Sequence, residues 1–334
     1  MTSTTTVEQD ERAERFEEAL YSTINPKQRR KGGPMATTTR QQPPKKKRPK
    51  PKKKTPKPKK KGKKKRTAGT DRGFCGMSPL KLVLYGPSGV GKTSFGANFP
   101  RPGFIIDPQE EGIRTLAEFN IVPEPVFIEQ AEDFEGTLAI CGDIAAGKWD
   151  IQTACFDSIT GFEKLCFAFH CEEYFEGDWS SEGFYSYQRG PKNAAKTDWP
   201  RFLNALDDIR AAGINVLLIG HSRTKLYNNP EGADYDRHVC YSDPETWSAI
   251  HRWAQGVLFY NYLVELDLSK KKGPRTKAKQ EGEGRIIYTE WAPAFDAKNW
   301  FELDPVIDGG ESAEESFKNF EEAFRKASTD RVPF

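Results

Sequence analysis

The clearest chemical signal in this 334-residue chain is a glycine-rich segment that ends in a lysine and a threonine. Its pattern, G-x-x-x-x-G-K-T, is typical of a loop that binds phosphate. Glycines are needed because backbone N–H groups can curl around an anion only where no Cβ intervenes. We expect Lys92 to reach the β- and γ-phosphates of a nucleotide and Thr93 to bind Mg²⁺. The candidate phosphate-binding residues are Gly86, Pro87, Ser88, Gly89, Val90, Gly91, Lys92 and Thr93.

A second signal is an aspartate that ends an apolar run, within the sequence IQTACFDS of residues 151–158. The run predicts a strand over Thr153–Phe156, with Asp157 at its carboxyl end. We expect this strand to neighbour the loop strand, so that Asp157 reaches the Mg²⁺ held by Thr93 through a water molecule. Many buried strands end in aspartate, so the phosphate loop upstream is what favours this interpretation.

Hydrolysis of a nucleotide also needs a group that orients or deprotonates the attacking water. The predicted strand Gly103–Ile106 is followed by the sequence DPQEE, whose last two residues are candidates for that role. Glu110 is our first choice and Glu111 the second. The alternative is a solvated acidic turn.

A histidine follows another predicted strand, Ile214–Ile219, in the sequence GHSR of residues 220–223. His221 would touch the γ-phosphate position and report the loss of this phosphate to the loop that follows. The alternative is an ordinary residue at a strand end.

These residues need elements that bring strand ends together, and the chain from residue 80 onward supplies them. Short apolar runs alternate with helical patterns, which predicts an α/β fold with a mainly parallel sheet. The candidate strands are Leu82–Tyr85, Gly103–Ile106, Val126–Ile128, Thr153–Phe156 and Ile214–Ile219. The candidate helices cover residues 91–99, 132–146, 160–172, 198–211 and 244–254. The first of these helices would add its dipole to the attraction for an anion.

The pattern changes after residue 256. Val257–Leu266 and Arg285–Trp291 predict two strands joined by residues 269–284, which are rich in Lys, Gly and Glu. We interpret them as a C-terminal β-hairpin rather than another crossover unit. The acidic segment from about Asp308 predicts a helix near residues 312–327 and a loose end.

Charge divides the chain into a basic run and an acidic remainder. Residues 45–66 contain sixteen Lys or Arg and no acid, whereas the rest of the chain has 35 basic and 48 acidic residues. Prolines and self-repulsion favour a disordered run, which attracts nucleic acid without base specificity. The alternatives are a nuclear-import signal and a solubilising arm. The candidate DNA-binding residues of this run are Lys45, Lys46, Lys47, Arg48, Lys52, Lys53, Lys54, Lys63, Lys64, Lys65 and Arg66.

We therefore predict three regions. Residues 1–74 form a disordered tail, in which Val7–Tyr21 is a candidate amphipathic helix, residues 75–306 form the nucleotide-binding domain, and residues 307–334 form an acidic tail with a short helix. No apolar run approaches the ~18 residues of a membrane span, and no signal-peptide pattern opens the chain. We expect a soluble intracellular protein without membrane contact.

The six cysteines show no spacing typical of a secreted disulfide framework, and several lie in apolar runs as small core residues. Cys166, His170 and Cys171 would lie close together on a helix, which raises the question of a zinc site. Because no C-x-x-C pair accompanies them, zinc is the lesser interpretation.

Ordered segments between residue 79 and about residue 304 carry a family resemblance. They read GPSGVGKTSFGANFP, FIIDPQEEG, TACFDSITGFEKL, WPRFLNALDDIRAAGINVLLIGHSRTKLYNNPEG, YDRHV, WAQGVLFYNY and YTEWAPAFDAKNWF. In this order they resemble the RecA-like P-loop ATPases of bacteriophages, often described only as AAA-domain or nucleotide-binding proteins. Some of these are single-strand annealing proteins. The resemblance implies a RecA-like core for residues 75–306 and the cytoplasm of a bacterial host as the location.

The resemblance also implies roles for single residues. Lys92 and Thr93 would bind the phosphates of ATP and Mg²⁺. Asp157 would be the Walker B acid, Glu110 the water-activating acid and His221 the sensor.

A loop for single-stranded DNA is implied as well. The segment after His221, with Arg223 and Lys225, resembles the RecA-like loop that contacts this ligand. One departure concerns the water-activating acid, because the family places it two residues after the strand-end aspartate, where this chain has Gln109. Glu110 corresponds only if one residue is inserted. The lysine-rich tail has no counterpart in the family core.

RecA-like enzymes complete the nucleotide site with a basic residue from a neighbouring subunit. Arg252 and Lys298 are candidates for that residue, with ordinary surface cations as the alternative. The resemblance therefore implies a homo-oligomer, either a ring or a filament, with ATP at the interface.

Three functions fit these observations. The first is an ATPase that binds single-stranded DNA and promotes annealing or recombination, for which Trp179, Phe184, Tyr185 and Tyr187 are either base-stacking residues or core and lid residues. The second is a helicase-like or loader motor, and the third is a nucleotide-gated adaptor that recruits replication proteins without appreciable hydrolysis.

The last five residues, DRVPF, resemble the acidic tip with which bacterial single-strand-binding proteins dock onto partner enzymes. A terminal carboxylate and a Phe ring can fill an apolar pocket with a basic rim. Replication or recombination proteins are therefore candidate partners of Asp330–Phe334, and an ordinary chain end is the alternative.

Overall fold

The computed structural model describes residues 74–76, 78–128, 130–230, 232–266 and 278–329. These described residues belong to one compact unit. The basic run of residues 45–66, the candidate helix Val7–Tyr21 and the terminal segment Asp330–Phe334 lie outside the described residues. Within the described ranges, no helix combines the length and the apolar character needed to cross a membrane.

Ten strands in the described part of the chain form one sheet system, with helices on both faces. The strands are β1 (Lys81–Gly86), β2 (Pro102–Ile106), β3 (Val126–Phe127), β4 (Thr153–Asp157), β5 (Asn215–Tyr227), β6 (Tyr235–Cys240), β7 (Gly256–Leu266), β8 (Ala278–Tyr288), β9 (Lys298–Asn299) and β10 (Val306–Gly310). The helices are α1 (Lys92–Ala97), α2 (Gly112–Glu118), α3 (Phe134–Ala145), α4 (Ile159–Phe175), α5 (Arg189–Thr197), α6 (Trp199–Ala211), α7 (Pro244–Trp253) and α8 (Ala313–Thr329).

The main path of the sheet runs in the order β10-β8-β7-β1-β5-β4-β2-β3. The six strands from β7 to β3 are parallel, whereas β8 and β10 are antiparallel to their neighbours. This arrangement confirms the predicted α/β fold with a mainly parallel sheet and a closing hairpin of β7 and β8. The carboxyl ends of the parallel strands share one edge, where ligands bind in such folds.

The position of β5 corrects one prediction. β5 lies between β1 and β4, so the strand that carries Asp157 does not neighbour the loop strand. Gly86 pairs with His221 across β1 and β5, and Asp157 pairs with Ile219 across β4 and β5. Asp157 and the phosphate loop therefore still lie at the same edge, with the β5 residues between them.

The length of β5 corrects a second prediction, because the strand does not end at Ile219 but continues to Tyr227. Its outer half pairs antiparallel with β6, from Ser222 opposite Cys240 to Tyr227 opposite Tyr235. Arg223 and Lys225 thus lie on a strand of this β5–β6 hairpin rather than in a loop.

Alternating apolar residues bury both faces of the sheet. On β1, Val83 and Tyr85 pack into the layer that contains α3, α4, α6 and α7, whereas Leu82 and Leu84 pack into the layer that contains α1 and α8. All four side chains are at most 1 % exposed. A strand buried on both faces gives a stiff support for the loop that follows it.

The C-terminal segment, predicted as an acidic tail with a short helix near residues 312–327, packs against the rest of the fold, and α8 covers Ala313–Thr329. β10 pairs with β8 at the sheet edge, and α8 buries Phe317, Phe320 and Phe324. These rings pack against Phe74, which the sequence assigned to the N-terminal tail, with centroids 5.3–6.1 Å apart. The acidic residues of α8 lie on the opposite face of the helix. The overall composition of the segment therefore does not indicate its apolar face.

Candidate functional site

The phosphate loop has the backbone geometry that its glycines predict. Gly89 and Gly91 have φ angles of 81° and 101°, a left-handed region that favours glycine. A Cβ at Gly86 would lie 1.9 Å from the carbonyl oxygen of Tyr260, so a larger residue cannot stand there. The helix α1 begins directly after the loop, at Lys92.

Lys92 is nearly enclosed, with 5 % of its surface exposed. Its Nζ donates to the carbonyl oxygen of Pro87 at 2.8 Å, across the loop. Burial lowers the pKa of Lys92 to about 8, and the nearby carboxylates of Asp157 and Glu110 oppose this shift. An ammonium held in so little water interacts strongly with an anion such as phosphate.

Thr93 and Asp157 meet at the start of α1. The Thr93 Oγ1 donates directly to Asp157 Oδ2 at 2.7 Å. The sequence had predicted an indirect contact between these residues, through Mg²⁺ and a water molecule. Burial raises the pKa of Asp157 to about 6, although the hydrogen bond from Thr93 opposes the shift. A hydroxyl and a buried carboxylate are both hard oxygen donors, so this pair fits Mg²⁺.

Asp107 joins the ends of β2 and β4 at the site. Its Oδ2 accepts hydrogen bonds from the N–H and the Oγ of Ser158, both at 3.1 Å, and its Oδ1 accepts from the Gln109 N–H at 2.8 Å. Asp107 is buried, and burial raises its pKa. With its carboxylate engaged in this way, Asp107 fixes the turn that carries the next acidic residues.

Glu110 lies in a hydrogen-bonded chain that leads back to the phosphate loop. Its Oε1 lies 3.3 Å from His221 Nε2, and the Nδ1 of the same ring lies 3.4 Å from the Ser88 Oγ. The hydrogen bond with His221 lowers the pKa of Glu110, so its carboxylate accepts. The His221 Nε2 then donates to this carboxylate, and Nδ1 lies beside the Ser88 hydroxyl.

The turn distinguishes the two glutamates proposed as water-activating residues. Glu110 is about one-third exposed and faces His221, whereas Glu111 is exposed and precedes α2.

The sequence missed Lys164 of α4, whose Nζ donates to Gln109 Oε1 at 3.1 Å. Burial lowers the pKa of Lys164, and the carboxylates of Asp107 and Glu110 oppose the shift. Lys164 is thus a second ammonium near this turn.

An open groove of about 410 Å³ lies beside the β5–β6 hairpin. Arg223 and Lys225 of β5 and Arg237 of β6 line it, together with the rings of Tyr227 and Trp247. The sequence predicted the two cations of β5. It missed the β6 and α7 residues, because only strand pairing brings them to the same surface.

An ion pair holds one wall of the groove in place. Arg237 pairs with Asp296, which also accepts a hydrogen bond from Trp247 Nε1 at 3.0 Å. The Arg237 guanidinium lies 5.9 Å from the ring centre of Tyr227 and 5.6 Å from that of Trp291, which is more than half exposed. Cations beside aromatic faces can bind the phosphates and stack the bases of a single strand.

The aromatic segment after α4 belongs to the core for the most part. Phe184 is fully buried, and the rings of Trp179 and Tyr185 pack against it at 4.9 and 5.1 Å. Only Tyr187 of the four proposed stacking residues projects, with 97 % exposure. The core interpretation therefore describes three of these four residues.

The residues considered for zinc serve the core instead. His170 Nδ1 lies 2.6 Å from Asp198 Oδ2, and both residues are buried, as are Cys166 and Cys171. Among the residues that the structure describes, no cluster of three or more His, Cys, Asp or Glu has a geometry that could hold a metal ion.

The two candidates for a basic residue supplied to a neighbouring subunit differ in their contacts. Lys298 donates to the carbonyl oxygens of His251, Arg252 and Ala254, at 2.6–3.3 Å, and so caps the end of α7. The Arg252 side chain is exposed, and its Nε donates to Ser248 within α7. Lys298 thus has a structural role in its own chain.

Glu163 of α4 gives a prediction for pH-dependent stability. Its Oε1 accepts from the Asp243 N–H at 2.9 Å, and burial raises its pKa to about 8 from 4.5. The folded protein therefore holds this proton more tightly than the unfolded chain, and the resulting stability is lost as the pH rises through about 8.

Between pH 5 and pH 9, we expect the free energy of unfolding to fall in wild type by at least about 1 kcal/mol more than in Glu163→Gln, which keeps the hydrogen-bond acceptor. Urea unfolding of both proteins across this range measures the difference. Unfolding free energies that change equally with pH in the two proteins would contradict the raised pKa of Glu163.

Comparison with known proteins gives one family. A family profile described as an AAA domain matches residues 78–301, which is two thirds of the chain. The match begins before β1 and includes the phosphate loop, Asp157 and the β5–β6 hairpin. A search among curated proteins finds no match.

Proposed function

The chain belongs to the AAA-domain family of P-loop ATPases, and from this premise we propose that it hydrolyses ATP under the control of single-stranded DNA. The process served would be annealing or recombination of phage DNA, as in the RecA-like phage proteins that its motifs resemble. The observation that carries this proposal is the cationic and aromatic groove on the hairpin that extends from His221.

In this proposal the chain's own residues divide the work of hydrolysis. Lys92 would stabilise the charge on the terminal phosphates, and Thr93 and Asp157 would hold Mg²⁺, which would supply neutralisation of the phosphate charge. Glu110 accepts a hydrogen bond from the attacking water and orients it. His221 keeps the carboxylate of Glu110 in position.

The groove supports single-stranded DNA as the partner. Arg223 and Lys225 offer charge to the phosphates, and Tyr227 and Trp247 offer ring surface to the bases. Duplex DNA hides its bases in the stack, so it would use only the charged part of this surface. A homo-oligomer with ATP between subunits remains part of the proposal through the family resemblance alone.

His221 supplies a physical connection between the two surfaces. It contacts Ser88 of the phosphate loop and Glu110, and two residues further along β5 stands Arg223. A shift of His221 on loss of the γ-phosphate would move the strand that lines the groove. Nucleotide state and DNA binding would then be coupled reciprocally.

The double variant Arg223→Ala/Lys225→Ala tests the groove. We expect its affinity for a fluorescent oligo(dT) to fall about tenfold. The slope of log Kd against log salt should decrease by about 1.4, since each single-strand phosphate contact contributes about 0.7. Fluorescence anisotropy at four salt concentrations measures both quantities with the full chain, so that the basic run is equal in all proteins.

The matched control is Lys318→Ala/Arg325→Ala, which removes the same charges from exposed positions on α8. This variant should keep the wild-type affinity and salt slope within about twofold. Equal losses in both double variants would mean that net charge, rather than the groove, determines binding. Groove variants that bind normally would count against this surface as the DNA site.

A further inference from the structure

The phosphate loop poses a hydrogen-bonding question that the nucleotide itself does not answer. Backbone N–H groups that turn inward toward a phosphate leave the intervening carbonyl groups pointing outward. Such carbonyls need partners of their own, from protein or water. In this protein the hairpin of β7 and β8 supplies them.

Two side chains of the hairpin bond to consecutive carbonyls of the loop. The Tyr262 hydroxyl of β7 donates to the Gly89 carbonyl oxygen at 2.7 Å. The Arg285 Nε of β8 donates to the Val90 carbonyl oxygen at 2.9 Å. The Arg285 guanidinium lies over the Tyr262 ring, 5.6 Å from its centre, so the two side chains also support one another.

The start of α8 closes this arrangement from the other side. Arg285 also donates from Nη1 to the Glu311 carbonyl oxygen, just before the helix. A Cβ at Gly91 would lie 3.2 Å from the Ala313 Cβ and 3.9 Å from Arg285 Nε. The outer side of the loop is therefore in contact with the hairpin and with α8.

We propose that Tyr262 and Arg285 are positioning residues that hold the phosphate loop in its anion-binding conformation. They act through the backbone, since their contacts are with the carbonyl groups of Gly89 and Val90. The hairpin and α8 then form the support of the nucleotide site. The inference rests on nucleotide binding by the loop and adds the elements that prepare the loop for it.

Preorganisation of this kind has a specific signature. A loop without these contacts must become ordered when a phosphate binds. The loss of conformational entropy lowers the affinity for the nucleotide. The fold of the protein without nucleotide changes little, because Tyr262→Phe keeps the ring and removes a single hydroxyl. A purely structural role would instead lower stability and leave the affinity of the folded protein unchanged.

The experiment compares Tyr262→Phe, Arg285→Met and Arg285→Lys with wild type in the full chain. The dissociation constant for Mg·ADP is measured with a fluorescent ADP analogue, and the thermal midpoint is measured without nucleotide. We expect Tyr262→Phe to bind about fivefold more weakly and Arg285→Met about tenfold more weakly. Arg285→Lys, which keeps a donor, should recover part of the loss.

The matched control is Tyr288→Phe, which removes a hydroxyl from the same hairpin on a ring that packs against Phe295. Its affinity for Mg·ADP should match wild type. Thermal midpoints within about 2 °C of wild type, together with weaker binding in Tyr262→Phe and Arg285→Met, support the inference. Unchanged affinity in both variants would overturn it, as would an affinity loss equal to that of Tyr288→Phe. Failure of wild type to bind Mg·ADP would overturn the proposed function as well.

Discussion

Replacing Lys92 with alanine is expected to lower ATP turnover at least about a hundredfold, because the variant lacks the preorganised positive charge that stabilises negative charge on the phosphate in the transition state. The protein should remain folded. Burial lowers the pKa of the Lys92 ammonium to about 8 from 10.5, so this buried charge destabilises the folded state. Alanine removes that destabilising charge. Steady-state phosphate release, with the thermal midpoint as the check on folding, measures both effects.

Lys318→Ala is the matched control for Lys92→Ala, since it removes an exposed lysine from α8. Its turnover should stay within about twofold of wild type. A folded Lys92→Ala protein that hydrolyses ATP at the wild-type rate would mean that the loop at residues 86–93 is not the hydrolysis site.

Replacing Glu110 with glutamine is expected to separate hydrolysis from binding. Glutamine has nearly the same shape and still accepts the hydrogen bond from His221, so the site should keep its geometry. It is a far weaker proton acceptor than a carboxylate, and general-base groups contribute about 10²–10⁴-fold to rate. We expect kcat to fall by at least about a hundredfold while the Kd for ATP changes less than about threefold.

Glu111→Gln is the matched control, because Glu111 is adjacent in sequence and exposed. Its turnover should match wild type. If Glu111→Gln were the inactive variant, the water-activating role would move to that residue. If both variants kept full turnover, neither glutamate would activate water.

Local patterns predicted the parts of the site that are local in sequence. The phosphate loop, its strand β1 and its helix α1 are contiguous, and glycine spacing alone specifies the backbone that Gly89 and Gly91 adopt. The strand that ends at Asp157 was also predictable, since an apolar run followed by an acid needs no knowledge of its neighbours. The hairpin of β7 and β8 was predicted from composition, although β8 covers Ala278–Tyr288 rather than the predicted Arg285–Trp291.

Sheet order and strand pairing could not be predicted in this way. The insertion of β5 between β1 and β4 depends on which helices cross which face, and no single segment encodes it. The same applies to Arg237, which reaches the groove only because β6 pairs with β5. The contact of Arg285 with the phosphate loop joins residues 195 positions apart in sequence.

The C-terminal helix is different, because the sequence did contain its signal. Phe317, Phe320 and Phe324 recur at the spacing of one helix face. The acidic residues between them lie on the exposed face, so net composition suggested a tail. Weighing periodicity above composition would have placed α8 in the fold.

The most direct test is steady-state ATP turnover by wild type and Lys92→Ala, each with and without an oligo(dT) single strand, at two salt concentrations. We predict that wild-type turnover rises several-fold with the single strand, less so at high salt, and that Lys92→Ala shows neither the basal nor the stimulated rate. Wild-type turnover that stays at background while the single strand binds would contradict an ATPase under DNA control and favour a nucleotide-gated adaptor.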